Sequence, residues 1–298
     1  MQLVRLEDAP RFEPPSRNGN GNGNGNGNGN GNGNGGVNGE AVTYRDLLVG
    51  REGAPDNFGL QLLEVSGGYQ TGRHRHNFEQ VRVVLEGAFG FGNGLVQQAG
   101  SVGYFCEGTW YVQQGAGRSL TLLLQVGGPS GAGFMSRRQL REGIAALRGK
   151  GEFRGGMFTW YDVQGIKHDK DSYEAVWEHV HGRPIQYPKP QYAAPVLMDP
   201  ERFAWVPMPH RQGVWLRTLG RFSERGLGIT QLRLAAGAEL VLPRGEQVLL
   251  LVCAQGAGHV ESRPYGRLSA LRVEIGEGPW LKATQDSVFY GFELPRFD

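Results

Sequence analysis

Cysteine is scarce: the 298 residues contain two, Cys106 and Cys253, in different halves of the chain. A disulfide framework is excluded on that count, and reduced thiols fit better. No apolar run approaches the roughly 20 residues that a bilayer-crossing helix needs, so no membrane span is expected. Charge of one sign is missing too. The 31 basic and 29 acidic residues, a formal net charge of +2, are mixed along the chain. No basic stripe could track phosphates, and nucleic-acid binding has no support. Met1 to Pro10 carries Arg5, Glu7 and Asp8 and no continuous apolar core, which does not read as a secretory signal. A cytoplasmic protein is the expectation. Nucleophile elbow, phosphate loop, dinucleotide fingerprint and Cys-x-x-Cys pair are all absent from the sequence. Hydrolase, kinase and nucleotide-linked dehydrogenase readings therefore have no motif behind them.

Glycine, by contrast, is abundant at 49 residues, many of them in an Asn-Gly repeat from Asn18 to Gly36. That repeat has no apolar side chain to bury and maximal backbone freedom to lose on ordering, so residues 18–40 read as a disordered linker and 1–17 as an arm. From Tyr44 to about Gly133 short apolar runs alternate with glycine: Gly59–Val65, Gln80–Glu86, Ala88–Phe91, Ser101–Phe105, Tyr111–Gln113 and Leu120–Val126. Strands at this spacing predict an antiparallel sandwich or barrel. Ser136 and Gln139 form a capping-box pattern ahead of Leu140, Ile144 and Leu147, predicting a helix up to Gly149 on the outside of a barrel. A second helix is expected from about Asp171 to His181, capped by Asp171 or Ser172 and stopped by Gly182 and Pro184. Strand rhythm returns from Trp215 to the C-terminus. The fold class is all-β, two β-domains joined by a helical, proline-rich bridge.

The most informative stretch runs Gly72-Arg73-His74-Arg75-His76-Asn77-Phe78-Glu79-Gln80 into Val81-Arg82-Val83-Val84-Leu85-Glu86-Gly87. Histidines one residue apart at the start of a strand share a face. Strand parity adds Gln80, Arg82 and Val84 to that face, provided that the Asn77-Phe78 turn keeps the register, and sends Val81, Val83 and Leu85 the other way. The inward face is unusually polar.

These residues resemble the first motif of the cupin superfamily, a glycine, five residues, His-x-His, three or four residues, Glu, six residues and a glycine; here it reads Gly68, His74, His76, Gln80 and Gly87. The second cupin motif, Gly-x5-Pro-x-Gly-x2-His, is similar to Gly100 through Tyr111, with Cys106 in the proline slot and Tyr111 in the slot of the third histidine. Spacing matches throughout, whereas Gln80, Cys106 and Tyr111 depart in identity. Gly237, then Pro243-Arg244-Gly245 in the His-x-His slot and Gln247 to Gly256, resembles a first motif stripped of its ligands. The resemblance implies a bicupin of two jelly-roll barrels: an N-terminal cupin barrel with the candidate site at 41–135, a bridge at 136–212 and a degenerate C-terminal barrel at 213–298. The superfamily includes dioxygenases, decarboxylases, isomerases, storage proteins and sensors, so fold alone does not choose a function.

Cupin-like enzymes hold a metal on three imidazoles and a carboxylate, which makes His74, His76 and Gln80 the candidate ligands and Tyr111 a weaker partner or a proton carrier. The implied cofactor is a divalent transition metal, iron foremost, with manganese, nickel, copper or zinc as alternatives. Gln80 removes a negative charge from the set, which a metal-bound Tyr111 phenolate would restore. Parity turns the adjacent Glu79 away from the imidazoles, as a surface carboxylate, unless a bulge brings it round as a ligand. A guanidinium on the inner face needs an anion, so Arg82 reads either as a substrate clamp or as half of a fixed salt bridge to Glu86 or Glu107. Phe91 and Trp110, with Phe89, Tyr104 and Phe105, are candidate walls for an organic ligand or simply barrel core. Cys106 reads as a small buried hydrophobe or a thiol near the mouth. The other histidines lack partners at ligand spacing. The expected protein is a cupin-type oxidoreductase, dioxygenase-like, acting on a small carboxylated or enolic compound; a metal-free anion-binding protein and a cupin isomerase or decarboxylase are the alternatives. A homodimer that covers free barrel edges completes the expected partners.

Overall fold

The structure is a computed structural model that describes residues 1–12, 42–66, 68–115, 117–154 and 156–297. The Asn-Gly repeat, and with it the reading of 18–40 as a disordered linker, lies outside the described residues. Short strands whose faces alternate between two different cores build both halves of the chain. In the N-terminal half, Phe58–Val65, Glu79–Glu86, Val102–Phe105 and Ser119–Val126 form the middle of a seven-stranded antiparallel sheet. Val42–Val49 and Arg11–Phe12 extend one side, and Val196–Met198 the other. A three-stranded sheet of Ala88–Gly90, Val96–Gln98 and Gln114–Gly115 faces it and closes the jelly roll.

The C-terminal half repeats the plan with a seven-stranded and a four-stranded sheet. One edge strand of its large sheet is Gln2–Val4, paired antiparallel with Ala270–Arg272, so the N-terminal arm docks on the opposite half. The two large sheets pack against each other. Val81, Val83, Leu122 and Leu124 from the first meet Leu219, Ile229, Val252 and Phe292 from the second in one apolar cluster. Because side chains alternate along a strand, this contact leaves Gln80, Arg82 and Val84 for the barrel interior. There Val84 joins Phe89, Phe91, Phe105 and Tyr111 in a separate cluster. In the C-terminal barrel Leu232, Leu240, Leu251, Leu271 and Leu281 form an apolar cluster, with a hydrogen bond from Tyr265 to Ser287 buried beside it.

Both helices form where the capping signals fall. Ser136 and Gln139 make a reciprocal capping box ahead of Arg137–Arg148, and Asp171 accepts from the backbone of Tyr173 and Glu174 at the head of Ser172–His181, which ends on Gly182 at φ 63°. Between them the bridge is not merely helical and proline-rich. It contains a three-stranded sheet, Glu152–Arg154, Met157–Tyr161 and Lys167–Asp171. The last strand, Lys-His-Asp-Lys-Asp, has no apolar alternation to mark it, and pairing with Met157–Tyr161 decides its conformation. The helices pack Leu140, Tyr173, Val176 and Trp177 onto Phe78 and Phe134, beside the two histidines. Among the described residues no helix is long and apolar enough to cross a membrane.

The Ser136 hydroxyl accepts from Gln139 and donates to Glu52, tying the first helix to the barrel. Ser136→Ala is expected to cost about 1 kcal/mol, the usual worth of an N-cap, measured as a lower urea midpoint at unchanged slope.

Candidate functional site

The two motifs meet through their backbones. His74 N donates to the Tyr111 carbonyl over 3.0 Å and Tyr111 N donates to the His74 carbonyl over 3.1 Å, while Gly108 N donates to the His76 carbonyl over 2.8 Å. Gly108 sits at φ 75°, and a Cβ there would fall 2.2 Å from the Pro188 carbonyl oxygen, so only glycine fits this turn.

Both imidazoles are buried, their ring centroids 5.1 Å apart at a steep angle. The ring of Tyr111 lies 4.5 Å from that of His74. The Gly72 carbonyl holds Nδ1 of His74 over 2.8 Å, which places the proton there and leaves Nε2 as the lone-pair nitrogen, 3.3 Å from the Gln113 amide. Neither ring nitrogen of His76 has a hydrogen-bond partner among the described residues. That ring is stacked on Phe78 and edge-on to Tyr173 from the second helix. Burial, with Arg82 adding to it, pulls the His74 pKa down to about 4, and burial with the neighbouring His74 and Arg82 holds His76 well below its ordinary value. Both rings are neutral at neutral pH and keep their lone pairs.

Arg82 is the unusual group. It is 2% exposed, one of the largest fully buried side chains. Its contacts are neutral: Nη1 donates to Gln113 Oε1 over 3.4 Å and Nη2 to Gln80 Oε1 over 3.3 Å. The rings of Phe89, Phe91, Phe105 and Tyr111 surround it at 5.4 to 5.8 Å. Neither expected salt bridge forms. Glu86 pairs with Arg267 on the outside, and Glu107 accepts from Ser130.

Gln80 and Tyr111 also lie in this group. The Gln80 amide donates to the Tyr111 hydroxyl over 2.7 Å, and its carbonyl oxygen is shared by Arg82 and by Gln125 over 3.2 Å. Burial raises the Tyr111 pKa, so the phenol keeps its proton. Phe91 packs beside Arg82, whereas Trp110 is not brought to the site. It is exposed, with the guanidinium groups of Arg73 and Arg75 over its ring. Tyr104 faces the other half of the chain, stacked on Phe222. Cys106 is buried against Thr109. Glu79 points away from the imidazoles, as parity requires, but it is no surface carboxylate. It is 0% exposed, held by Tyr104 and by Ser223 of the C-terminal half.

Sequence reasoning missed Gln113, Gln125 and Tyr173. The glutamines carry a legible signal, since Gln113 lies two residues beyond Tyr111 and Gln125 is a polar residue in an apolar strand opposite Gln80. Tyr173 has none, because a helix about 95 residues away delivers it through tertiary packing alone.

The residues fit a metal in part. Two neutral, adjacent imidazoles, one with both nitrogens unpartnered, are suitable donors. The Gln80 oxygen is already engaged, however, and among the described residues no group of three or more His, Cys, Asp or Glu is placed to hold a metal ion. With Arg82 close by, a dication held by His74 and His76 requires an anion from outside the protein.

Two jelly-roll barrels back to back define the bicupin fold. The chain is similar to a putative dioxygenase from Nostoc punctiforme, at 9% identity and a TM-score of 0.61 over 99% of this chain and 82% of that one. It is also similar to the oxalate decarboxylase of Bacillus subtilis, at 11% identity and a TM-score of 0.53 over 85% and 72%. A further structure of that decarboxylase, described for its Mn(II) centers, matches at 11% identity and a TM-score of 0.51 over 86% and 74%. No family model and no curated protein matches the chain.

Proposed function

We propose that the N-terminal barrel binds a small carboxylate or enolate between the imidazoles of His74 and His76 and the guanidinium of Arg82, and acts on it as a cupin-type metal-dependent enzyme of the oxygenase class. The observation that carries this reading is Arg82, a fully buried cation whose protein partners are all neutral. An anion bound beside the guanidinium would offset part of the positive charge of Arg82 and of a metal held by the imidazoles, and would supply the negative ligand that the donor set lacks. Fold relatives described as a putative dioxygenase and as decarboxylases of oxalate, a small dicarboxylate, support both the ligand class and the metal.

His74 and His76 would hold the metal, iron foremost. When bound, it supplies Lewis acidity and, for iron, redox chemistry towards dioxygen. The chain's own residues orient the anion: Arg82 fixes its carboxylate, Gln113 and Gln80 hold the guanidinium in place, and the aromatic wall of Phe89, Phe91 and Phe105 excludes water. Tyr111, protonated and fixed by Gln80, holds a proton at its hydroxyl oxygen for transfer to the bound compound.

A second reading is favoured by the engaged Gln80 oxygen: the same residues form a metal-free cage for an organic anion. Elemental analysis of untagged protein, paired with oxalate calorimetry before and after chelation, separates them. Near-stoichiometric metal that is lost in His76→Ala, with oxalate binding lost on chelation, is the result expected of the enzyme. Metal-free protein that still binds oxalate, with that binding lost in Arg82→Met, indicates the cage, and protein that binds neither metal nor oxalate in the barrel rules out both.

A further inference from the structure

One cavity lies away from the histidines, with none of them in its lining. It has a volume of about 770 Å³ and lies where the two halves meet, between the Gln98–Ser101 turn, the Leu197–Trp205 segment and the face of the C-terminal sheet that carries Arg217, Gln231 and Tyr290. Arg217, Gln231 and Tyr290 are each about nineteen-twentieths buried, with exposures of 5%, 3% and 5%. Gln231 accepts from Nε of Arg217, and the Trp205 ring lies 4.2 Å from the guanidinium carbon, so the plane of the group is fixed. Its remaining edge is satisfied by one carboxylate, that of Glu201, at 2.8 Å.

The two partners of that ion pair are unequal. The Arg217 side chain is 5% exposed and held on two sides, whereas the Glu201 side chain is 82% exposed at the rim. Exposed carboxylates contribute little to such pairs and leave them easily, while a buried guanidinium that loses its partner carries a large penalty. The pair is thus a fixed receptor edge covered by a replaceable carboxylate.

We propose that this cleft is a second ligand site, distinct from the barrel, which takes an organic acid: the ligand's carboxylate displaces Glu201 from Arg217. Gln231 and Trp205 hold the guanidinium fork in the geometry that a carboxylate matches bidentately. The cavity is far larger than a carboxylate and is walled in part by Leu197, Met198 and Val288, so the body of the ligand is apolar or planar. Glu201 acts as an internal competitor that occupies the anion position when no ligand is bound.

The probe is benzoate, with benzamide as its uncharged counterpart, titrated by calorimetry into the full chain. Benzoate is expected to bind and benzamide to bind at least about tenfold more weakly, since charge-assisted hydrogen bonds are about twice as strong as neutral ones. Glu201→Gln, at an exposed position that should not disturb folding, is expected to tighten benzoate by about threefold or more by weakening the competitor. Arg217→Gln is expected to lose binding. Benzoate that does not bind, or that binds wild type, Glu201→Gln and Arg217→Gln alike, overturns the proposal. Should Arg217→Gln not fold, the Glu201→Gln comparison decides alone. A benzoate site inside the barrel would be insensitive to Glu201, so the two sites are told apart.

Discussion

Arg82→Met is expected to stabilise the ligand-free protein by about 2 kcal/mol and to weaken oxalate binding by more than about 100-fold. Burying a guanidinium with no carboxylate beside it costs several kcal/mol of hydration. Four aromatic rings at cation-π distance return about 0.5 to 2 kcal/mol, and long hydrogen bonds to two amides return a little more. Methionine fills similar space and packs its sulfur against the same rings. Gln80 Oε1 keeps Gln125 as a donor, and only Gln113 Oε1 loses its partner, at about 1 kcal/mol. The balance favours the variant. Denaturant midpoints measured beside oxalate titrations check both halves of the expectation. A lower midpoint in Arg82→Met would show that the guanidinium is already paired, and the case for an external anion would fall with it. Greater stability together with lost binding would mark Arg82 as a residue kept for function at the expense of the fold.

The sequence carried the parity of the Glu79–Glu86 strand without ambiguity, because a two-residue period and one polar face leave a single register. Gln80 and Arg82 were therefore legible as neighbours and Glu79 as pointing away from them, whereas His74 and His76 precede the strand, across bends at Asn77 and Phe78, and His74 is held by its bridge to Tyr111. Legibility failed where distance in the chain is bridged by packing. Glu79 reads as a surface residue so long as one barrel is considered alone; burial comes from the second half, whose Ser223 meets it across the contact. Trp110 reads as a pocket wall from its place before Tyr111, yet the turn at Gly108 carries it outward to Arg73 and Arg75. The junction cavity has no local signature either, since Glu201 comes from a short turn of the bridge and Arg217 and Tyr290 from two separate strands of the C-terminal sheet.

Glu79→Gln is expected to stabilise the protein by about 4 to 5 kcal/mol at pH 8 and by almost nothing near pH 4. Burial, reinforced by Glu107, pushes the carboxyl up to about 8 against the pull of hydrogen bonds from Tyr104 and Ser223. An unfolded glutamate titrates near about 4.3, so between these values the folded state binds the extra proton. Stability from this group is complete below about pH 4 and falls as pH rises towards 8, by at most about 1.4 kcal/mol per unit. Glutamine keeps the acceptor for Tyr104 and cannot ionise, which removes the decline. The histidines act with the opposite sign. His74, lowered to about 4, and His76, lower than its ordinary value, contribute stability above about pH 6.5 that is lost on acidification. The wild type should therefore be most stable in mildly acidic solution, squeezed from the alkaline side by Glu79 and from the acid side by the imidazoles. Urea midpoints at pH 5, 6, 7 and 8 check this. In Glu79→Gln the alkaline limb should flatten while the acid limb stays, and two parallel profiles would mean that the Glu79 carboxyl is ionised in its buried place between the barrels.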